Sequence, residues 1–512
     1  MTDKLNDILN SLGGFGPEIW LSASFCLLLL AEVVLVKAFG SMKARPYLVG
    51  LSTFIVGVAG VWVVVAPTRG FLFMHLLFVD NQAIFIQVVV AISAVFVLLY
   101  EGVVVQVPQS SEMSIGFKRA NLPVEWYSLL VAMTLGLFLM AISVNLLSIY
   151  LSIELVSIAS YLLTALNADR KASEGGIKYL LFGAISSAIM LYGMSLLYGM
   201  TGTLDLTADV FGNELARQDA AVVSVALLLT LAGLFFKLAG VPFHVWTPDA
   251  YEAAPVPVAA FFSVGPKAAA VLVVMRIVTV LPIEAPPEGA TVTVLQTPLA
   301  VLALAGMFIG NLSALRQTDA KRLLAYSTIA HAGFLLVGVV ALNEAGFAAA
   351  LFYVGTYLFI SLAAFFLIDL LARSNSSDLT IGHLAGLGSK QPLLSAALVV
   401  VMLGLIGLPP TVGFTAKLLS FSALYEAYQQ TGNPWLLALF ALGLLNALIS
   451  LGYYLKIPFY LFFRPPLPEL AAQPTVPLPK VAVALAIGLT VAIVALFLKP
   501  ELVLDWLTVA TR

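Results

Sequence analysis

Charge is scarce in this chain. Only 10% of its 512 residues are Asp, Glu, Lys or Arg, against about 25% in a soluble domain. Cysteine is scarcer still. The single Cys26 lies inside an apolar run, which excludes a disulfide frame and a thiolate metal site. The four histidines (His75, His244, His331 and His383) are scattered, so no Cys or His cluster is set up to bind iron–sulfur, haem or zinc. No Walker phosphate loop is present, and no strand–GxGxxG–helix unit for a dinucleotide. The chain is therefore expected to hold no redox cofactor and to carry no electrons itself. A net charge of −2 gives no reason to expect nucleic acid. Residues 1–16 lack the basic start and small-residue cleavage site of a signal peptide, so the first apolar segment is expected to be retained.

What is abundant is apolar length. Hydrophobic residues make up 61% of the chain, and apolar runs long enough to cross a bilayer recur throughout. The reading is an all-α, polytopic membrane protein in contact with lipid. About fourteen crossings are predicted, near 17–38, 46–66, 78–100, 123–142, 144–167, 174–200, 220–243, 256–282, 294–314, 322–342, 346–371, 393–421, 434–463 and 477–499. Odd-numbered loops are basic: Lys43 and Arg45, Lys118 and Arg119, Arg170 and Lys171, Arg316 with Lys321 and Arg322, and Arg464 with Lys480. Even-numbered loops are poor in cations; the eighth holds Glu284 and Glu288, and the tenth only Glu344. Cytoplasmic loops carry the excess of Lys and Arg, so both termini are expected on the non-cytoplasmic side. The seventh loop, with Asp249 and Glu252, is the exception.

Two parts of the chain resemble each other at a separation near 170 residues. "VSIASYLLTAL" (156–166) reads like "STIAHAGFLLVGV" (327–339), "EGGIKYLLF" (174–182) like "EAGFAAALF" (344–352), and "LAGVPF" (238–243) like "LIGLPP" (405–410). Five predicted crossings separate the matching points. Five is odd, so the two units are expected to be inverted relative to one another. The implied organisation is three helices in 1–122, a first repeat in 123–282 (helices 4–8), a second in 283–464 (helices 9–13) and a last helix in 465–512. Gly240 with Pro242, and Gly407 with Pro409 and Pro410, should interrupt helices 7 and 12. Inverted repeats with matched breaks mark many transporters, whose ion sites lie near the midplane at those breaks.

Ionisable residues inside such spans are functional candidates, because each costs about 2.5–3.5 kcal/mol at the bilayer centre on insertion scales. Glu154, Lys237, Lys267, His331 and Lys417 form the series acid, base, base, imidazole, base. A lysine taken out of water gives up its proton more readily, and a nearby carboxylate restores its hold on it. Such sites joined by water make a proton relay. Each has a plainer alternative: Glu154 and Lys237 as one structural ion pair, Lys267 snorkelling, His331 as a satisfied polar residue, Lys417 as a structural cation. Lys178 and His244 are secondary pathway candidates, with Lys178 otherwise interfacial, and His244 and Asp249 otherwise helix caps. Glu32 lies outside the repeat and is expected to pair with Lys37. The proline breaks free backbone carbonyls, and unpaired backbone at membrane depth must line protein or water, so a polar, hydrated interior is expected beside the broken helices.

The stretches "ELVSIASYLL", "GIKYLLFGAISSAIMLYG", "FKLAGVPFHVWTPDAYEAAPVPVAAFFSVGPKAA", "KRLLAYSTIAHAGFLLVG" and "GLIGLPPTVGFTAKL" resemble the antiporter-like membrane subunits of respiratory complex I (NADH–quinone oxidoreductase, NDH-1). The resemblance is strongest over about 140–425, and to the type called subunit N in bacteria and subunit 2 in mitochondria and plastids. It implies fourteen helices, two inverted five-helix repeats and discontinuous helices 7 and 12. The family's helix-5 glutamate falls on Glu154, its helix-7 lysine on Lys237, its helix-8 lysine on Lys267 and its helix-12 lysine on Lys417. Members vary at the position matching His331. The resemblance further implies proton translocation coupled to quinone reduction elsewhere in the complex. NADH, FMN, iron–sulfur clusters and quinone would then be held by other subunits, and the other membrane-arm subunits would be partners. The expected location is a bacterial inner membrane, with a thylakoid as alternative. Sodium/proton antiporter (Mrp-type) and membrane hydrogenase subunits are the alternatives within this likeness. The short stretch after the last span argues against the sister subunit that carries a long amphipathic helix there.

Overall fold

The computed structural model describes residues 2–65, 69–104, 122–280, 290–375, 377–468 and 476–510. Lys118, Arg119, Glu284 and Glu288, used above to orient the loops, lie outside them. The described residues are helical almost throughout. In chain order the helices are α1 (Thr2–Gly14), α2 (Gly16–Phe39), α3 (Ser41–Val65), α4 (Asn81–Val104), α5 (Trp126–Ile142), α6 (Leu146–Ala165), α7 (Arg170–Thr201), α8 (Asp209–Ala216), α9 (Ala220–Leu238) and α10 (Trp246–Ala253). There follow α11 (Val256–Val278), α12 (Ala290–Leu315), α13 (Ala320–Val340), α14 (Glu344–Ser374), α15 (Leu387–Lys390), α16 (Pro392–Ile406), α17 (Val412–Thr431), α18 (Pro434–Tyr454) and α19 (Lys456–Phe463), then Lys480–Leu498 and Glu501–Ala510. Twelve helices are long and apolar enough to cross a membrane, and two shorter apolar ones, α5 and α16, bring the described crossings to fourteen. The short helices α1, α8, α10 and Glu501–Ala510, and a two-stranded hairpin pairing Gly70–Leu72 with Leu77–Val79, are too short to cross a bilayer and were not predicted as spans.

Local chemistry sets where the crossings begin. Asn145, Asp169, Asp219, Asp319, Asn343 and Asn433 each cap a helix, their side-chain oxygens accepting from backbone N–H groups of the first turn, which satisfies donors the helix itself cannot. Burial sets which helices lie at the centre. Along α11 every residue except Arg276 is buried, and it packs on α4, α5, α9, α13 and α14. By contrast α2, α7 and α18 show long apolar faces to the outside, as a lipid-facing helix does.

The predicted breaks are present, with one change of register. Helix α9 ends at Ala239, which is left-handed at φ 60°, and Gly240 follows it; α16 ends at Gly407, left-handed at φ 85°. The backbone places Ala239 opposite Gly407 and Pro242 opposite Pro410, 168 residues apart in both cases (239 to 407, 242 to 410). The alignment of Gly240 with Gly407 inferred from sequence is therefore off by one. The reason is that an alanine occupies the left-handed position that glycine occupies at the second break. Both prolines follow cis peptide bonds, Val241–Pro242 and Pro409–Pro410.

The exceptional seventh loop also has a physical account. Asp249 pairs with Lys178 at 2.9 Å and with Arg322 at 2.9 Å; Glu252 pairs with Arg322 at 2.6 Å and with Lys171 at 2.7 Å. Lys321 donates to the carbonyls of Glu252 and Ala254 at 2.7 and 2.9 Å. The acids of this loop thus neutralise cations of the fifth and ninth loops on the same side. Burial alone would raise both carboxyls, but the cations outweigh it. Lys178 and Arg322 hold Asp249 below its ordinary 3.8, and Lys171 and Arg322 hold Glu252 below 4.5.

Two outcomes follow. An L-residue in the left-handed region costs roughly 1–2 kcal/mol, and a Cβ on Gly407 would lie 2.8 Å from Lys417 Cδ. Gly407→Ala should therefore lower the thermal midpoint of the purified protein, whereas Ala239→Gly should raise it; shifts of the same sign would refute this account of the breaks. Because both loop carboxyls are depressed, their stabilisation is present above their unfolded values and lost as pH falls through the folded ones. Melting temperature should drop as pH is lowered below 4.5, and the Asp249→Asn/Glu252→Gln double variant should show a flatter profile over the same range.

Candidate functional site

Three lysines and a histidine are buried in the interior, each on a different helix. Lys237 is 2% exposed in the last turn of α9, Lys267 2% on α11, His331 3% on α13 and Lys417 6% on α17. Their surroundings differ in kind.

Lys237 Nζ has no hydrogen-bond partner among the described residues. It faces rings instead: Tyr161 at 5.6 Å, and Tyr179 and Phe236 at 5.3 Å each. Tyr179 stacks on Trp246 at 3.9 Å and 5°, and the Trp246 indole donates to the carbonyl of Phe236 at 3.1 Å. The first break is thus packed by aromatics around the lysine, two of them tyrosines. Glu154 lies on α6, half-buried, where its carboxylate accepts from the Ser187 hydroxyl of α7. The two charges do not form an ion pair in this structure.

Lys267 Nζ donates to the Thr328 carbonyl of α13 at 2.6 Å. One turn on, His331 has both ring nitrogens engaged, Nδ1 with the Tyr353 hydroxyl at 2.7 Å and Nε2 with the Tyr454 hydroxyl at 3.0 Å. Tyr454 also bonds to Ser327, and Tyr357 reaches Thr328 Oγ1 at 3.3 Å while its ring lies 4.9 Å from the imidazole. Lys417 turns back across the second break. Its Nζ donates to the carbonyls of Ile406 at 2.6 Å and Leu405 at 3.1 Å, and it lies over the Phe334 ring at 4.4 Å. These carbonyls end α16 and have no partner within the helix, so the break supplies the acceptors that the lysine uses.

The structure therefore gathers Lys267, His331 and the tyrosines into one bonded group, with Lys237 and Glu154 on one flank and Lys417 on the other. Lys178 belongs to the loop ion-pair network, bonded to Glu174 at 2.8 Å and to Asp249. His244 lies half-buried between α9 and α10, with no partner for Nδ1 among the described residues. Glu32 does not pair with Lys37; its carboxylate accepts from Ser128 N at 3.0 Å and Ser128 Oγ at 3.1 Å on α5, because Ser128 offers two donors within the protein. Sequence reasoning missed Tyr353, Tyr357 and Tyr454. The first two stand one helical turn apart, a spacing that, in an apolar span, could have exposed them. It also missed Glu18, bonded to Gln87 at 2.7 Å, Glu101 and Asp369, because each falls near the end of a predicted span.

The transmembrane family model described as NADH:quinone oxidoreductase/Mrp antiporter matches residues 143–450, which span both breaks and all five residues of the series. A relative from Chloroherpeton thalassium named NADH-quinone oxidoreductase subunit N 2 is 39% identical over 465 residues, covering 88% of this chain and 85% of the relative. Among solved structures, a chain of respiratory complex I from Thermus thermophilus is 30% identical with a TM-score of 0.74, covering 95% of this chain and 100% of that one. A chain of the Mrp complex from Dietzia shares the fold at a TM-score of 0.78 but only 19% identity, over 97% of this chain and 52% of that one. With its interrupted helices and buried row of cations, the chain belongs to the NADH:quinone oxidoreductase/Mrp antiporter transmembrane family, in the group of NADH-quinone oxidoreductase subunit N.

Proposed function

We propose that this chain is a proton-translocating membrane-arm subunit of an NADH–quinone oxidoreductase and passes protons along Glu154, Lys237, Lys267, His331 and Lys417. It contributes no redox centre; NADH, FMN, iron–sulfur clusters and quinone belong to other subunits of the complex. It lies in a bacterial inner membrane with both termini on the non-cytoplasmic side, and its two five-helix units are inverted repeats. The observation that carries this reading is the contrast between the lysines. Lys267 and Lys417 have backbone acceptors, whereas Lys237 has only rings around it and the Glu154 carboxylate on α6 as its electrostatic partner.

That contrast gives the row a direction of control. With no fixed acceptor, the protonation of Lys237 depends on where Glu154 stands. A carboxylate that approaches holds the proton on Lys237, and one that leaves releases it towards Lys267. Glu154 is tethered by one hydroxyl on a neighbouring helix, so a change at its half-buried face is able to move it. Lys178 and His244 lie on the basic side of this centre and are secondary positions on the same route.

The test is proton pumping in membrane vesicles containing the assembled complex. Lys237→Ala and Glu154→Ala should each lower NADH-driven acidification by about a hundredfold, the low end of what a positioned proton-transfer group contributes, with the amount of assembled complex unchanged. Normal pumping by both variants would sink the relay. Acidification that requires Na⁺ in the wild type would favour the antiporter reading instead.

A further inference from the structure

A cleft of about 520 Å³ opens on the basic side of the protein, between the ends of α4 and α14 and the start of α11. Glu101 lines it and is itself 2% exposed. Its Oε2 accepts from the Tyr127 hydroxyl at 2.8 Å, while Oε1 is buried with no hydrogen-bond partner among the described residues. Arg45, on α3, is bonded to the carbonyl of Leu122 at the cleft wall, and its Nε and Nη1 have no partner among the described residues. Asp369 also lines the cleft; its Oδ2 accepts from Tyr100 at 2.7 Å and from Arg373 Nε at 2.6 Å. A buried carboxylate oxygen without a donor is costly, and water in the cleft would supply one. Carboxylates outnumber cations in the lining, which suits water and hydrated protons and disfavours an anionic headgroup.

From Asp369 one face of α14 leads into the interior at four-residue steps through Phe365, Ser361, Tyr357 and Tyr353. Ser361 bonds to Ser263 of α11 at 2.7 Å, Tyr357 to Thr328 and Tyr353 to His331. The carbonyl of Thr328 holds Lys267. The strip therefore connects the cleft to the middle of the cation row and bypasses Lys237.

We propose that this cleft is a water-filled proton entry, in which Glu101 and Asp369 take up protons from the basic side and the α14 strip passes them to His331 and Lys267. The inference rests on the relay reading above. Each step transfers one proton between a carboxylate, water, a hydroxyl and a nitrogen, and no electron moves. Phe365 interrupts the polar face, so about 12 Å of helix between Asp369 and Ser361 is crossed on water. Among the described residues, Tyr127, Arg45 and Arg373 act on Glu101, and Asp369 lines the same cleft.

The test uses the intact complex in vesicles. Glu101→Gln should lower proton pumping by about a hundredfold with assembly unchanged, and Glu101→Asp should recover most of it. Thr380→Cys at the cleft wall, in a Cys26→Ala background, should react with a charged, membrane-impermeant thiol reagent added to the basic side. That second readout reports aqueous access whether or not Glu101→Gln folds. If Lys237→Ala fails to pump while Glu101→Gln pumps normally, the entry is overturned and the relay stands. If Lys237→Ala and Glu154→Ala both pump normally, the relay falls and the entry with it. A Thr380→Cys protein that stays unlabelled overturns the water-filled cleft.

Discussion

An ammonium held away from water has to find acceptors in the protein, and the interior of this chain is arranged around three of them. Placing one at membrane depth costs about 2.5–3.5 kcal/mol on insertion scales. A hydrogen bond to a charged group returns roughly 1.5–3 kcal/mol, so the two carbonyls on Lys417 are enough to offset that cost, and the one on Lys267 offsets most of it. A ring contact returns about 0.5–1 kcal/mol when exposed and about 2 when desolvated. The three rings around Lys237 lie at 5.3 to 5.6 Å, near the outer limit of such contacts. Lys237 is therefore the cation with the least fixed compensation.

The same break produces opposite results at its two occurrences. Ending a helix leaves its last carbonyls without partners. At α16 the freed carbonyls of Leu405 and Ile406 face back along the chain, and Lys417, arriving from the far side of the break, takes both. At α9 the carbonyls of Phe235 and Phe236 accept from the backbone of the break itself, Gly240 N at 2.7 Å and Ala239 N at 3.2 Å, and the Trp246 indole adds a second donor to Phe236 at 3.1 Å, so neither is left for Lys237. The backbone symmetry of the breaks is close, at 168 residues for both landmarks; the chemistry placed on it is not symmetric.

Much of this was legible in the sequence, for identifiable reasons. Crossings are legible because a bilayer imposes a length on apolar runs, and the fourteen predicted spans correspond to fourteen described crossings. Breaks are legible because proline removes a backbone donor. Buried cations are legible because they are rare in such runs. Partners are not, because they depend on which faces meet. Lys267 and Thr328 are 61 residues apart, and His331 and Tyr454 are 123 apart, and no spacing rule connects them. The misassigned partner of Glu32 shows the same limit: one turn along the helix offered Lys37, but the neighbouring helix offered Ser128 with two donors. The register of the first break was misread for a local reason, since alanine in a left-handed conformation leaves no mark in a sequence.

The bracketing of His331 constrains how any proton would pass it. A neutral imidazole donates from one nitrogen and accepts at the other. With a tyrosine hydroxyl on each, one of Tyr353 and Tyr454 must accept while the other donates. A proton that arrives on one nitrogen and leaves from the other exchanges these roles, so both hydroxyls must turn before a second proton follows. Tyr454 is also bonded to Ser327, whereas the Tyr353 hydroxyl has no further hydrogen-bond partner among the described residues, which makes the Tyr454 side the stiffer of the two. The histidine is fully satisfied at rest, and its being satisfied is no argument against transfer: a group bonded on both sides is the only kind that hands a proton on without first finding a partner. What it cannot do is transfer twice in the same sense without a reset. The hydroxyls that hold the imidazole in place would therefore also set the order of any proton transfers through it.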